Sequence, residues 1–172
     1  MTRVVVYTEL GGPEVLHLIE VADPVAGPGQ VVVQLTAVGV NPVDGKQRSG
    51  GRVLPPIVEP RRIGYDGAGV VSEVGPGVEH LQIGERVVVT ETPGAYAERL
   101  AVDAHNAVPI PREVSDEVAA AIGTPASTAY QALRSLRVRD GDTLLIHAGS
   151  GAVGQAAIQF AVDRGATVIA TS

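Results

Sequence analysis

The sequence predicts an α/β protein in which a small N-terminal β-barrel is followed by the first part of a parallel α/β domain. Before Pro111, short runs rich in Val, Ile and Leu alternate with Gly/Pro turns, which is typical of a closed or nearly closed barrel. After Pro111 the pattern becomes helical and ends in a strand, a glycine loop, a helix and a strand. We therefore predict two domains, residues 1–112 and 113–172.

The predicted barrel has a core of aliphatic side chains, because only 3% of the residues are aromatic and none is Trp. Strands are expected where β-branched residues cluster between turn signals. Six are predicted: Arg3–Tyr7, Leu16–Val21, Gln30–Val40, Ala68–Val74, Arg86–Thr90 and Tyr96–Val102.

The second part carries signals for three helices and two strands. Ser115 precedes two acidic residues and an apolar run, which predicts a helix N-cap. The last three elements form a βαβ unit, whose apolar strands imply a buried parallel sheet. The predicted helices cover Asp116–Ile122, Ser127–Ser135 and Val153–Arg164, and the predicted strands cover Thr143–His147 and Ala166–Thr171.

The loop between the two predicted strands has the G-x-G-x-x-G spacing of a dinucleotide-binding turn. Glycines permit a tight turn and close backbone approach, and the free N–H groups of the following helix can bind a diphosphate. A plain structural turn is the alternative. The predicted cofactor-binding residues of this loop are Gly149, Ser150, Gly151, Ala152, Val153 and Gly154.

The end of the second strand indicates which nicotinamide cofactor is used. NAD-binding sites usually place Asp or Glu about 20 residues past the glycines, on the ribose hydroxyl. Here Thr171 and Ser172 occupy that place, and a Ser can hydrogen-bond a 2′-phosphate that a carboxylate would repel. We therefore expect NADPH rather than NADH. Because a complete dinucleotide-binding domain needs more strands, we also expect the chain to be truncated at Ser172 or completed by a partner.

Charge and composition exclude several classes of protein. The net charge is −6 with no basic run, which argues against nucleic-acid binding. The absence of Cys excludes disulfides and thiolate metal sites. Residues 1–10 do not resemble a signal peptide, and no apolar run approaches the ~20 residues that span a bilayer. We expect a cytoplasmic protein without nucleic-acid or membrane partners.

Seven short motifs, in order along the chain, resemble the medium-chain dehydrogenase/reductase superfamily and its zinc-free quinone oxidoreductase (zeta-crystallin-like) branch. The resemblance implies a GroES-like catalytic β domain followed by the start of a Rossmann domain, with the active site between them, and a homodimer for the whole protein. The motifs are Gly39–Asp44, Arg48–Gly50, Gly64–Val71, Gly84–Val87, Gly94–Glu98, Thr128–Tyr130 and the glycine loop.

The resemblance also implies that zinc is not used. The positions that match the catalytic zinc ligands of the alcohol dehydrogenases are Asn41, Tyr65 and about Thr124, none of which is a usual zinc ligand. The four histidines are scattered, and His147, at the end of a predicted buried strand, is expected to be a core residue. Without a Lewis acid, alcohol oxidation is the poorer interpretation. Reduction of a quinone or an α,β-unsaturated carbonyl is the better one.

By resemblance, four residues are candidates for the catalytic site. Asn41 would donate an amide hydrogen bond to the acceptor oxygen; the alternative is a turn residue before Pro42. Asp44 is expected to anchor this loop rather than donate a proton. Lys46, where relatives often carry an aromatic residue, could stabilise charge or lie on the surface. Tyr65 could reach the substrate or fill the space of the absent metal.

Two further residues have expected roles near the site. Asp66 is expected to be structural. Thr128, placed at the start of the second helix, could bond the nicotinamide ribose or amide, or simply cap the helix. Two alternatives to an enzyme remain: a non-catalytic nucleotide-binding module, and an inactive fragment of a reductase.

Overall fold

The computed structural model describes residues 1–51 and 54–172, which form two compact units, Met1–Gly123 and Thr124–Ser172. The predicted fold class is confirmed: a β-rich unit comes first, and a strand–helix–strand unit follows. The domain boundary between residues 112 and 113 stays a prediction.

The first unit contains two antiparallel sheets. The smaller has the strand order β2-β1-β4, with β1 at Thr2–Tyr7, β2 at His17–Val21 and β4 at Arg61–Arg62. The larger has the order β7-β3-β5-β6-β8, with β3 at Gln30–Gly39, β5 at Asp66–Val74, β6 at Arg86–Val89, β7 at Arg99–Asp103 and β8 at Ala107–Pro109.

The core of the larger sheet is aliphatic, as the composition predicts. Its central side chains are fully buried valines on neighbouring strands, which suit a pleated surface. Each buried Val contributes about 1.5–3 kcal/mol relative to an exposed one. The fully buried valines of this cluster are Val31, Val33, Val71, Val87, Val89 and Val102.

The predicted strand Tyr96–Val102 is shorter in the structure and begins only at Arg99. The residues before it bond instead to β1 of the other sheet: the N–H of Val5 donates to the carbonyl of Tyr96 at 2.9 Å. This segment therefore connects the two sheets. Strands β4 and β8, which the sequence did not predict, have two and three residues and are too short to show an alternating pattern.

A short helix that the sequence analysis missed, α1, covers Pro42–Arg48. Asn41 is its N-cap, Pro42 is its first residue, and Asp44 lies at the third position, where its carboxylate accepts the Asn41 N–H. Asn, Pro and an acid at these spacings are a helix-start signal that could have predicted it. The predicted turn residue before Pro42 is therefore the N-cap of a helix.

The two helices predicted after Ser115 are a single 21-residue helix, α2, at Asp116–Leu136, with Pro125 inside it. Ser115 caps it as predicted, since its Oγ accepts the Val118 N–H at 3.3 Å. Packing explains why Pro125 does not end the helix, although a helical proline loses one hydrogen bond. The first half buries alanines against Ala68, and the second half buries Leu133 among alanines of the second unit.

In the second unit, β9 at Thr143–Ile146, α3 at Ala152–Asp163 and β10 at Thr167–Ala170 form the predicted βαβ unit with parallel strands. The apolar pattern predicted buried strands, but in the structure only one face of each strand is covered. Leu144 and Val168 pack beside α3, whereas Leu145 and Ile169 are 55% and 56% exposed. Successive side chains of a strand point to opposite faces, and one helix covers only one of them.

Candidate active site and nucleotide-binding loop

Asn41 lies where β3 gives way to α1, and it is 8% exposed. Its Nδ2 donates a 2.8 Å hydrogen bond to Oδ2 of Asp66, the fully buried first residue of β5. The Nδ2 amide carries two hydrogens, and this bond uses one. The second hydrogen has no partner among residues 1–51 and 54–172, so Asn41 keeps one donor for a ligand.

Small residues bring the backbone of α2 close to the end of β3 and to the Asp66 carboxylate. A Cβ added at Gly39 would lie 2.3 Å from the carbonyl oxygen of Ala120. A Cβ added at Gly123 would lie 2.7 Å from Oδ1 of Asp66. A methyl at Gly39 would require a backbone shift, and a methyl at Gly123 would require the Asp66 and Thr90 side chains to move. The expectation that Asp66 is structural agrees with this enclosed setting.

Asp44, 3% exposed, binds with one carboxylate oxygen only. Its Oδ2 accepts the backbone N–H of Asn41 at 2.8 Å and the hydroxyl of Tyr96 at 2.9 Å. Its Oδ1 is buried and has no hydrogen-bond partner in the part of the chain that the structure describes. Burial raises the pKa of Asp44. The bond to the Asn41 N–H is the anchoring contact expected of this residue, and a role in the reaction stays a prediction.

Tyr65, which is half-buried, donates its hydroxyl to Oε1 of Gln47 at 2.7 Å. Gln47 is 6% exposed and belongs to α1, so the bond fixes the phenol ring against this helix. Lys46, the next residue back on the same helix, is exposed. Its ammonium makes no hydrogen bond or ion pair with the described residues, which agrees with the surface alternative. The structure therefore brings Asn41 and Asp44 together and leaves Lys46 outside their contacts.

Two residues that hydrogen-bond the predicted site residues were missed by the sequence analysis: Gln47, which binds Tyr65, and Tyr96, which binds Asp44. Gln47 was not singled out from the sequence, and Tyr96 was included only as part of the motif Gly94–Glu98. Burial raises the pKa of the Tyr96 hydroxyl, and its bond to Asp44 raises it further. A Tyr among mostly aliphatic residues was the sequence signal for such a contact, because a buried phenol usually finds a hydrogen-bond partner.

The glycine loop joins β9 to α3 in the second unit, and two of its three glycines have a steric reason. A Cβ at Gly149 would lie 2.8 Å from the Cβ of Ala170 on the neighbouring strand. A Cβ at Gly154 would lie 2.3 Å from the carbonyl oxygen of Ala148. Gly151 is more open, with the same oxygen 3.3 Å away. Ala148 itself has φ +55°, a left-handed conformation that starts the turn.

The first turn of α3 offers backbone donors at an exposed surface. Gln155 is the first residue whose N–H bonds back to the loop, to the carbonyl of Gly151 at 2.8 Å. The N–H groups of the three residues before it have no partner in the described part of the chain. Most of the loop is exposed: Ser150, Gly151, Ala152 and Val153. Uncommitted amides at a helix N-terminus beside close-fitting glycines are the donor set that a nucleotide diphosphate requires.

The loop is tied to the end of β10. The N–H of Gly149 donates to the carbonyl of Thr171 at 2.7 Å, and the N–H of Thr171 donates to the carbonyl of Ile146 at 3.0 Å. Ser172 follows directly and is exposed. The prediction for His147 was wrong: it lies in the turn after β9, is exposed, and has its Nδ1 3.1 Å from the Thr171 hydroxyl. The strand ends one residue earlier than predicted, so His147 leaves the apolar layer.

Thr128 does not open a helix, contrary to the prediction. It is an exposed residue in the middle of α2, because that helix runs without a break through Pro125. A capping role is therefore ruled out, and a contact with the cofactor stays a prediction.

In residues 1–51 and 54–172, no group of three or more His, Asp and Glu side chains is arranged to hold a metal ion. Over the same ranges, no helix has both the length and the apolar character needed to cross a membrane.

Residues 27–112 match the alcohol dehydrogenase GroES-like domain. The chain is 38% identical over 175 residues to the quinone oxidoreductase of Homo sapiens, covering 100% of this chain and 53% of that protein. It resembles the structure of the Escherichia coli quinone oxidoreductase complexed with NADPH, with a TM-score of 0.85 and 34% identity, over 99% of this chain and 52% of that one. It also resembles the CurK enoyl reductase, with a TM-score of 0.92 and 25% identity, over 99% and 54%. The chain spans about half the length of the curated relatives it matches.

Proposed function

The chain belongs to the quinone oxidoreductase branch of the medium-chain dehydrogenase/reductase superfamily, with a GroES-like domain in its first unit, and from this premise we propose a function. We propose that the whole protein is an NADPH-dependent oxidoreductase that reduces a quinone or another activated carbonyl or enone without zinc. The observation that carries the proposal is the glycine loop, whose exposed helix amides fit a diphosphate.

We propose that the loop residues Gly149–Gly154 hold the diphosphate of NADPH through backbone N–H groups of α3. When bound, NADPH supplies the hydride that reduces the acceptor. The neutral hydroxyl of Ser172 supports NADPH over NADH, because it would hydrogen-bond a 2′-phosphate without repelling it. The NADPH complex of the Escherichia coli relative supports the same choice.

Asn41 has the chemistry to stabilise the reduced acceptor. Its uncommitted Nδ2 hydrogen can donate to the oxygen on which negative charge develops, while the bond to Asp66 holds the amide plane. The hydroxyl of Tyr65 is committed to Gln47 as a donor, so we propose that Tyr65 orders the site and shapes it rather than donating a proton. Lys46 is left as a surface residue.

The proposed independence from zinc rests on residue chemistry. An amide, a phenol and a threonine hydroxyl occupy the positions that match the zinc ligands of the alcohol dehydrogenases, and none is a usual ligand of zinc. The name of the CurK relative, an enoyl reductase, supports enones beside quinones as acceptors. We further propose a cytoplasmic homodimer.

The test uses the whole protein and two measurements. NADPH should raise the melting temperature more than NADH does, because only NADPH has the phosphate that Ser172 would bind. The second measurement is NADPH consumption in the presence of a quinone, an enone or an aldehyde. We expect consumption with quinones and enones. Equal shifts with the two cofactors would contradict the cofactor assignment, and turnover confined to aldehydes would contradict the acceptor class.

A further inference from the structure

We propose that Tyr96 is a positioning residue: its hydroxyl holds Asp44, and through Asp44 the start of α1, so that the Asn41 amide stays aimed at the acceptor oxygen. This inference rests on the proposed function. Tyr96 lies 52 residues from Asp44 in sequence and donates its hydroxyl to the Asp44 carboxylate. Its effect on the reaction would therefore pass through Asp44.

Helix α1 depends on contacts from outside for its position. It has seven residues, which is too short to be stable alone. Three residues spaced three apart, Asn41, Asp44 and Gln47, are buried on one face of it. Each is held by one side chain from beyond the helix, and the partners in order are Asp66, Tyr96 and Tyr65.

The bond from Tyr96 is the central one of the three. Asp44 Oδ2 accepts only the Asn41 N–H and the Tyr96 hydroxyl, and Asp44 Oδ1 has no partner in the described ranges. Without the hydroxyl, the carboxylate would be held only by the backbone of its own turn. A buried carboxylate with so few donors is unfavourable for stability, and groups of this kind often mark a functional site.

Tyr96 itself is fixed from both sides. Its backbone N–H donates to the carbonyl of Ile63 at 3.0 Å, and its own carbonyl accepts the Val5 N–H at 2.9 Å. Its ring lies against Gly64, where an added Cβ would be 2.2 Å from the Cδ1 atom of the ring. The hydroxyl is thus attached to the smaller sheet, so it gives α1 a reference point independent of the helix.

The chain offers a matched control for removal of this hydroxyl. Tyr7 is fully buried in the apolar cluster that Tyr96 packs against, yet its hydroxyl has no hydrogen-bond partner among the described residues. Tyr96→Phe and Tyr7→Phe each delete one phenol oxygen and keep the ring. They differ in whether the oxygen binds Asp44.

The first measurement is turnover by the whole protein with NADPH and a quinone. Tyr96→Phe should lower kcat about tenfold with little change in KM, because a displaced donor weakens transition-state binding. Tyr7→Phe should leave kcat unchanged. In an Asn41→Ala background, Tyr96→Phe should have no further effect on kcat, whereas a merely structural role would lower it again by the same factor. A full additional loss in that background, or an unchanged kcat in Tyr96→Phe itself, overturns the inference while leaving the proposed function intact.

The second measurement does not depend on activity. Amide hydrogen exchange of residues 41–48 should be faster in Tyr96→Phe by about tenfold and unchanged in Tyr7→Phe, because the loosened carboxylate no longer holds the helix start. If the unaltered protein fails to oxidise NADPH with any acceptor, the proposed function fails. Amide hydrogen exchange of residues 41–48 then tests by itself whether Tyr96 positions the start of α1. Unchanged exchange in Tyr96→Phe overturns it.

Discussion

Two glycines of the proposed nucleotide loop should respond differently to replacement by alanine: one variant should lose stability and the other should lose affinity for NADPH. At Gly154 an added Cβ meets backbone atoms of Ala148 and Gly149 at 2.3, 2.7 and 3.0 Å. Backbone cannot rotate away, so Gly154→Ala should incur overpacking in the upper part of the usual range, about 2–3 kcal/mol. The gain of about 1 kcal/mol from replacing a helical glycine offsets part of it. The expected loss of unfolding free energy is about 1–2 kcal/mol.

At Gly151 the same methyl fits. Its φ of −73° suits any residue, and the nearest atom, the carbonyl oxygen of Ala148, is 3.3 Å away. Alanine is a poorer N-cap than glycine, so Gly151→Ala should lower stability by less than about 1 kcal/mol. The methyl should instead keep the diphosphate from the helix amides. The loss of one or two such charged hydrogen bonds corresponds to a roughly 10- to 100-fold weaker Kd for NADPH.

Urea unfolding and calorimetric titration of the whole protein with NADPH separate the two effects. Gly27→Ala is a suitable control in the first unit, where the nearest atom to an added Cβ is the end of the flexible Gln30 side chain, 3.1 Å away. It should change neither quantity. An unchanged NADPH affinity in Gly151→Ala would refute the assignment of the loop, and an unchanged stability in Gly154→Ala would refute the steric argument.

Three further predictions concern stability and metal content. The pKa of Asp116 lies below its ordinary value of 3.8 because Thr36 and then Arg86 hydrogen-bond the carboxylate. The contribution of these bonds to folding stability is therefore present above pH 3.8 and is lost as the pH falls through the lowered pKa. Asp116→Asn should therefore lower the unfolding free energy by about 1 kcal/mol at neutral pH, with the difference shrinking in unfolding measured at progressively more acidic pH. Gly64→Ala should destabilise by more than about 2 kcal/mol in the same assay, because φ is +91° and the Tyr96 ring occupies the space of the methyl; wild-type stability would contradict this reasoning. Elemental analysis of the whole protein should find no stoichiometric zinc, and one tightly held zinc per chain would overturn the proposed zinc independence.

The sequence predicts best those features that demand a particular residue. The nucleotide loop is one, because only glycine leaves room at positions 149 and 154, and the spacing is visible without the structure. The start of α2 is another, since Ser115 caps it through a local bond. Strands built on runs of valine between turn signals, such as β3 and β5, were also predicted close to their observed bounds.

Features that depend on distant contacts were not predictable. The bond between Tyr96 and Asp44 joins segments 52 residues apart, and no local pattern encodes it. The continuity of α2 through Pro125 also depends on packing at both ends of the helix, which overrides the local signal for a break. The prediction that Thr128 opens a helix was wrong for the same reason.

The hydrogen bonds between Gly149, Thr171 and Ile146 have a consequence for redesign. They involve main-chain atoms only, so the path of the backbone up to Thr171 does not depend on which side chain follows it. If residue 172 sets the coenzyme preference as proposed, it can therefore be exchanged without disturbing the turn proposed to hold the diphosphate. Affinity and selectivity for the coenzyme would then be open to independent engineering.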